Sequence, residues 1–141
     1  QDLHWYLRRI EDVLIQALGA FNIPAGRVEK YTGVWTGGRK IASIGVHARD
    51  WVTWHGFALN VTTELSYFDL IVPCGIPDVT MTSVERELLE RADGVCLAPS
   101  PALAEDVRTS VAASMAREFG LTARVVDASA IEAMLPHQSV A

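Results

Sequence analysis

The 141-residue sequence is poor in cysteine, poor in positive charge and free of long apolar runs. Only Cys74 and Cys96 are present, too few for a disulfide-stapled secreted scaffold, so a reducing cytoplasm is the expected compartment. Lys and Arg number 12 against 17 Asp and Glu, a formal charge of −5. Neutralising phosphates needs clustered cations, so nucleic acid is not an expected partner. No apolar run approaches the ~18 residues that span a bilayer, and the opening residues lack a signal-peptide pattern, so no membrane is expected. The sequence has no Walker loop, no GxGxxG, and no CxxC or HxxxH spacing among its two Cys and four His, which include His4 and His137. Neither a bound nucleotide nor a metal is therefore expected.

What remains is a composition that can fold. Half of the residues are hydrophobic and 21% are charged, enough to bury one core and too short a chain for two. No internal repeat, low-complexity tract or linker divides it. The chain opens on Gln1 and runs straight into a helical pattern, as a processed product or a piece of a longer protein would.

Leu3, Leu7, Ile10, Val13, Leu14, Ala17, Leu18 and Phe21 recur at three- and four-residue spacing. Arg8, Arg9, Glu11, Asp12 and Gln16 take the other side, so 3–20 is an amphipathic helix ended by Asn22-Ile23-Pro24. Beyond it the period changes. Val28–Tyr31, Val34-Trp35, Ile41–His47 and Val52–Thr62 read as strands, with turns at Gly33, Gly37-Gly38 and Ala48-Arg49-Asp50. Short turns between successive strands favour an antiparallel meander.

Thr82 and Glu85 have capping-box spacing ahead of Val84, Leu88 and Ala92. Ser100-Pro101 opens another helix, with Glu105 and Asp106 near its positive end and Gly120 just past its finish. Ala123–Val126 reads as a short strand and Ser129–Leu135 as a last helix. Helix, then sheet, then helices is an α+β layout.

The chemistry is concentrated between Arg27 and Ile76. Alternation puts Ile44 and Val46 on one face of their strand and Ser43 and Gly45 on the other. Phe57, Leu59 and Val61 likewise oppose Gly56, Ala58 and Asn60. Glycine weakens a strand interior, so two strands with such small faces point to something approaching the backbone closely. A ligand and a large side chain packing from above both fit that pattern.

Cys74 lies in Val72-Pro73-Cys74-Gly75-Ile76, after the strand-like run Phe68–Val72. Proline and glycine on either side make a rigid turn that presents the sulfur at a strand end. A lone cysteine is also a common small buried hydrophobe, the reading that suits Cys96. A free thiol with a pKa near ~8.5 is only a few per cent thiolate at neutral pH, so a nucleophilic Cys74 needs a cation or base. Lys40, at the start of the small-faced strand, is one candidate, although a solvated turn lysine has the same pattern. His47 and His55 are alternative bases, or strand-end histidines satisfied locally.

Four blocks occur in order: Arg27-Val28-Glu29-Lys30-Tyr31-Thr32-Gly33-Val34-Trp35, Lys40-Ile41-Ala42-Ser43-Ile44-Gly45-Val46-His47, His55-Gly56-Phe57-Ala58-Leu59-Asn60-Val61 and Pro73-Cys74-Gly75-Ile76. Together they closely resemble the lipoyl(octanoyl) transferase family over about fifty residues. The resemblance implies a mainly antiparallel sheet flanked by helices, similar to the biotin and lipoate protein ligase catalytic fold. It also implies an acyltransferase that moves an octanoyl group from octanoyl-acyl carrier protein to a lysine of lipoyl-accepting domains. Those acceptors are the lipoyl domains of 2-oxoacid dehydrogenase E2 subunits and the glycine cleavage H protein.

In that family the cysteine of the Pro-Cys-Gly motif carries the acyl group as a thioester, which falls on Cys74. The lysine of the Lys-Ile-Ala-Ser motif favours the thiolate and falls on Lys40. Substrate contacts fall on Ser43, Ile44, Gly45, Gly56, Phe57 and Ala58. The incoming thioester is already activated, so no ATP, metal or other cofactor is implied, and a monomer is expected. The family's Arg-Gly-Gly and Thr-Tyr-His-Gly-Pro-Gly-Gln segments, which precede the first helix and line the acyl pocket, do not occur here. Residues 1–141 are therefore expected to form a single catalytic domain's C-terminal portion. The rival readings are an ATP-dependent lipoate or biotin ligase-like enzyme and a non-catalytic fragment that docks lipoyl domains.

Overall fold

The computed structural model describes residues 2–91 and 101–134. Cys96 and His137 lie outside these residues, as do Ala92, Ser100 and Leu135 at the expected helix positions. The first helix, α1 (Leu3–Gly19), starts at Asp2, whose side chain accepts the Trp5 N–H, a standard N-cap. Ile10, Val13, Leu14, Ala17 and Leu18 form its buried stripe. Glu11 departs from the expected solvent side and is fully buried. Its carboxylate accepts from Arg8, Arg27 and the Gly33 N–H, which compensates the burial.

Four strands follow as an antiparallel meander in sequence order: β1 (Gly26–Val28), β2 (Tyr31–Thr36), β3 (Arg39–Arg49) and β4 (Val52–Leu59). Each hairpin closes on two residues: Glu29-Lys30, Gly37-Gly38 and Asp50-Trp51. Positive φ at both residues of Gly37-Gly38 and of Asp50-Trp51 matches the twist that two-residue loops favour, whereas in Glu29-Lys30 only Lys30 is left-handed. Val28–Tyr31, expected to be a strand, is thus the first hairpin's turn. Gly33, expected to be a turn, sits inside β2 with φ 138. A Cβ there would lie 2.6 Å from the Ala42 carbonyl oxygen, so glycine serves close approach rather than chain reversal.

Phe68–Val72 is not a strand. Leu65–Leu70 forms a 3₁₀ helix, and it is a later segment that lies beside the start of β3. Lys40 N–H donates to Thr80 O and Thr82 N–H to Lys40 O, joining Thr80–Thr82 to the sheet. The Asn60 side chain then donates to Thr82 O at 3.0 Å.

Ser83, not Thr82, caps α2 (Val84–Arg91): its hydroxyl accepts the Arg86 N–H. Thr82 instead donates its hydroxyl to the buried Glu87, which also pairs with Arg39 at 2.7 Å. α3 (Leu103–Phe119) ends at left-handed Gly120, as expected. Residues 122–127 form no strand, and α4 (Ala128–Met134) follows.

The core joins one face of the sheet to α1, α2 and α3 through Leu14, Leu18, Val34, Ala42, Val84 and Val107. Each of the Leu and Val side chains among these contributes roughly 1.5–3 kcal/mol by leaving water. This is the expected α+β arrangement of an antiparallel sheet flanked by helices. Among the described residues, no helix is long and apolar enough to cross a membrane.

Candidate active site

Direct cross-strand partners project to the same side of a sheet. In β3 and β4 the partners are Ser43 with Ala58, Ile44 with Phe57, and Gly45 with Gly56. Ile44, Phe57 and Leu59 pack on the helix-side core. Ser43, Gly45, Gly56 and Ala58 therefore form the floor of the opposite face. A Cβ at Gly45 or Gly56 would meet no atom within 4 Å, so the missing side chains leave open space. That space is an open groove of about 360 Å³ lined by Ser43, Ile44, Gly45, Gly56, Phe57, Ala58 and Cys74.

Cys74 reaches the groove from a separate element, the 3₁₀ turn Pro73–Gly75. Its own φ is 54 and that of Gly75 is 67. For a non-glycine residue the left-handed region costs ~1–2 kcal/mol, so the turn holds the cysteine in a special conformation. Gly75 N–H donates to Val72 O and Ile76 N–H to Pro73 O, both at 3.1 Å. The thiol is exposed, unlike that of a small buried hydrophobe.

Lys40 has a different setting. It is the largest of the fully buried side chains. Among the described residues its Nζ has no hydrogen-bond partner, and it lies 5.0 Å from the Trp35 ring centroid. It is not among the residues lining the groove. The side of the sheet it occupies follows from a bulge. Val34 pairs with Ala42 but Trp35 pairs with Lys40, so one step in β2 opposes two in β3. Val34 and Ala42 face the core; one step on, Trp35 and Lys40 face away from it, on the groove's side.

His47 stacks on Trp54 with ring centroids 4.4 Å apart and does not line the groove. His55 pairs with Val46 through its backbone; its side chain lies outside the described residues. No group of three potential metal ligands occurs among the described residues. A larger cavity, about 480 Å³, lies between Leu3, Trp5, Tyr6 and Trp51, but no Cys, Lys or His lines it. The structure thus gathers seven of the eight expected residues at one groove and seats the eighth, Lys40, against Trp35. Trp35 is the residue that sequence reasoning passed over. Its signals were the end of the Arg27–Trp35 block and a place in the Val34-Trp35 strand opposite the start of the next.

Comparison with known proteins places this geometry in a family. The family described as the lipoyl protein ligase A/B catalytic domain matches residues 1–95. The chain belongs to that family. Among relatives of this lipoyl protein ligase A/B catalytic domain, the octanoyltransferase of Gloeobacter violaceus is 46% identical over 121 residues. That alignment covers 86% of this chain and 49% of the relative. A chloroplastic octanoyltransferase of Arabidopsis thaliana is 53% identical over 85 residues, 60% of this chain and 30% of that one. The chain therefore spans about half the length, or less, of the curated relatives it matches. The fold is similar to a crystal structure of lipoate-protein ligase A bound with ATP, at TM-score 0.65 and 16% identity. That likeness covers 89% of this chain and 49% of the ligase.

Proposed function

We propose that the protein is an octanoyltransferase working by two successive acyl transfers through Cys74. The observation that carries the reading is the convergence of an exposed cysteine, on a rigid turn, with a groove opened by the paired glycines Gly45 and Gly56. The octanoyltransferases among its relatives support the choice of acyl group. The Cys74 thiolate attacks the carbonyl of octanoyl-acyl carrier protein. The S–C bond to Cys74 forms, the carrier's C–S bond breaks, and the carrier leaves as a thiolate that takes a proton from water. The acyl chain lies along Ser43-Ile44-Gly45 and Gly56-Phe57-Ala58.

An amine of a lipoyl-domain lysine then attacks the Cys74 thioester. Nitrogen gains the acyl group and loses a proton, and Cys74 departs as thiolate. Lys40 supplies the positive charge that both steps need near sulfur and the developing oxyanion. Among the described residues its N–H donors have no partner, whereas the Gly75 and Ile76 amides already serve the turn. The acceptors are lipoyl domains of 2-oxoacid dehydrogenases and the glycine cleavage H protein.

Intact mass after mixing the full-length protein with octanoyl-acyl carrier protein tests this. A single octanoyl adduct is expected, absent in Cys74→Ser and discharged by an acceptor lipoyl domain. An adduct on Cys96, or acceptor labelling that needs lipoate and ATP, overturns the reading.

A further inference from the structure

A buried ammonium is costly unless something compensates it, and the usual compensation is a carboxylate. Lys40 has no such partner: its side chain is fully buried, its Nζ has no hydrogen bond, and it forms no ion pair among the described residues. What it has is the ring of Trp35, 5.0 Å from centroid to Nζ. Indole is the strongest of the aromatic faces for a cation, and desolvation strengthens the attraction. The seat is built by sequence. The bulge at Val34/Trp35 makes Lys40 the direct partner of Trp35. Gly33 leaves room for the stem, since a Cβ there would lie 3.0 Å from Lys40 Cε and 3.3 Å from the Trp35 ring.

The two kinds of compensation differ chemically. A carboxylate would neutralise the ammonium and absorb its N–H donors. An aromatic face stabilises the positive charge and leaves the donors unspent. We infer that Trp35 is a positioning residue, which holds Lys40 as a buried cation with its hydrogen-bonding capacity reserved for the reacting groups at Cys74. This inference rests on the transferase reading above and adds to it a residue that acts only through Lys40.

The test is a set of single-turnover acylation rates on the full-length protein with octanoyl-acyl carrier protein as donor. Trp35→Phe keeps an aromatic face and Trp35→Leu keeps bulk alone. Acylation is expected to fall about 3-fold in the first and about 10-fold or more in the second, each measured well below the variant's own melting temperature, which truncation of the buried Trp35 lowers. In a Lys40→Met background, Trp35→Leu is expected to cause no further loss. An equal loss in that background means that Trp35 acts through general structure and overturns the inference, as does a Leu variant as fast as Phe.

Proton chemical shifts supply a reading independent of turnover and of variants that fail to fold. This chain has two lysines, Lys30 and Lys40. The ε-methylene protons of Lys40 are expected to be ring-current shifted relative to those of Lys30; coincident shifts overturn the seat itself. A wild-type protein that forms no adduct while showing the shift would sink the transferase reading, and with it the catalytic use of an existing seat.

Discussion

Glu11 reaches out of α1 to accept the backbone N–H of Gly33 at 3.1 Å, inside the second strand of the sheet. The same buried carboxylate accepts from Arg8 Nη1 and Arg27 Nε, both at 2.7 Å. Arg27 goes on to Asp12 Oδ1 at 2.7 Å and Arg8 O at 2.9 Å. One acidic residue therefore ties the helix, β1 and β2 together at Gly33, the glycine whose bare Cα makes room for Lys40. The pin is remote from Cys74 in chemistry but sets the strand on which the lysine rests.

Removing that pin is expected to be expensive. Glu11→Ala leaves the buried Gly33 N–H without its acceptor and takes a carboxylate from the solvent-accessible Arg8 and Arg27, of which Arg27 keeps Asp12, costing about 2 kcal/mol. Glu11→Gln keeps one acceptor oxygen and is expected to cost less than the Ala variant. Urea unfolding of the three proteins checks the order; an Ala variant within experimental error of wild type would show the network to be ornamental.

The α1–α3 contact carries a pH dependence of known sign. Arg9, first, and Gln16, second, donate to the Glu118 carboxylate and hold it below the usual carboxylate value of 4.5. A carboxyl whose folded value lies below its unfolded one adds stability above the unfolded value and loses it as pH falls through the folded value. The full contribution is thus present at neutral pH and fades below about 4.5. Thermal melts of wild type and Glu118→Gln are expected to differ at pH 7 and to converge on acidification. A difference that is constant from pH 7 to 3 would remove Glu118 from the acid response.

Much of this was written in the amino-acid pattern. The apolar stripe of α1, Gly120 as a helix stop and the alternation of small and bulky residues in β3 and β4 are local properties, and each was read directly. What escaped depended on partners distant in sequence. Phe68–Val72 has strand-like residues, yet Thr80–Thr82 occupies the neighbouring edge. Glu11 looks solvated until Arg27 and Gly33 are brought to it. Strict alternation from Ala42 and Ile44 would send Lys40 into the helix-side core, and only the bulge turns it to the groove's side beside Trp35. A bulge is a mismatch between two strands, so neither strand alone reveals it.

The groove floor offers the sharpest separation of fold from function. Gly45 and Gly56 are direct partners in mid-sheet, and a Cβ on either would touch nothing within 4 Å. In stability terms, valine there should be tolerated or favoured, because it restricts the unfolded chain and suits a strand. In functional terms the added methyls occupy the strip along which the proposed octanoyl chain lies. Gly45→Val and Gly56→Val are therefore expected to melt no lower than wild type. Both should lose about 10-fold or more in kcat/KM for octanoyl-acyl carrier protein, with a smaller loss for a butyryl donor, whose shorter chain needs less of the strip. Equal losses for the two donors would move the acyl chain off this face of the sheet. An unchanged kcat/KM would leave the glycines as features of folding alone.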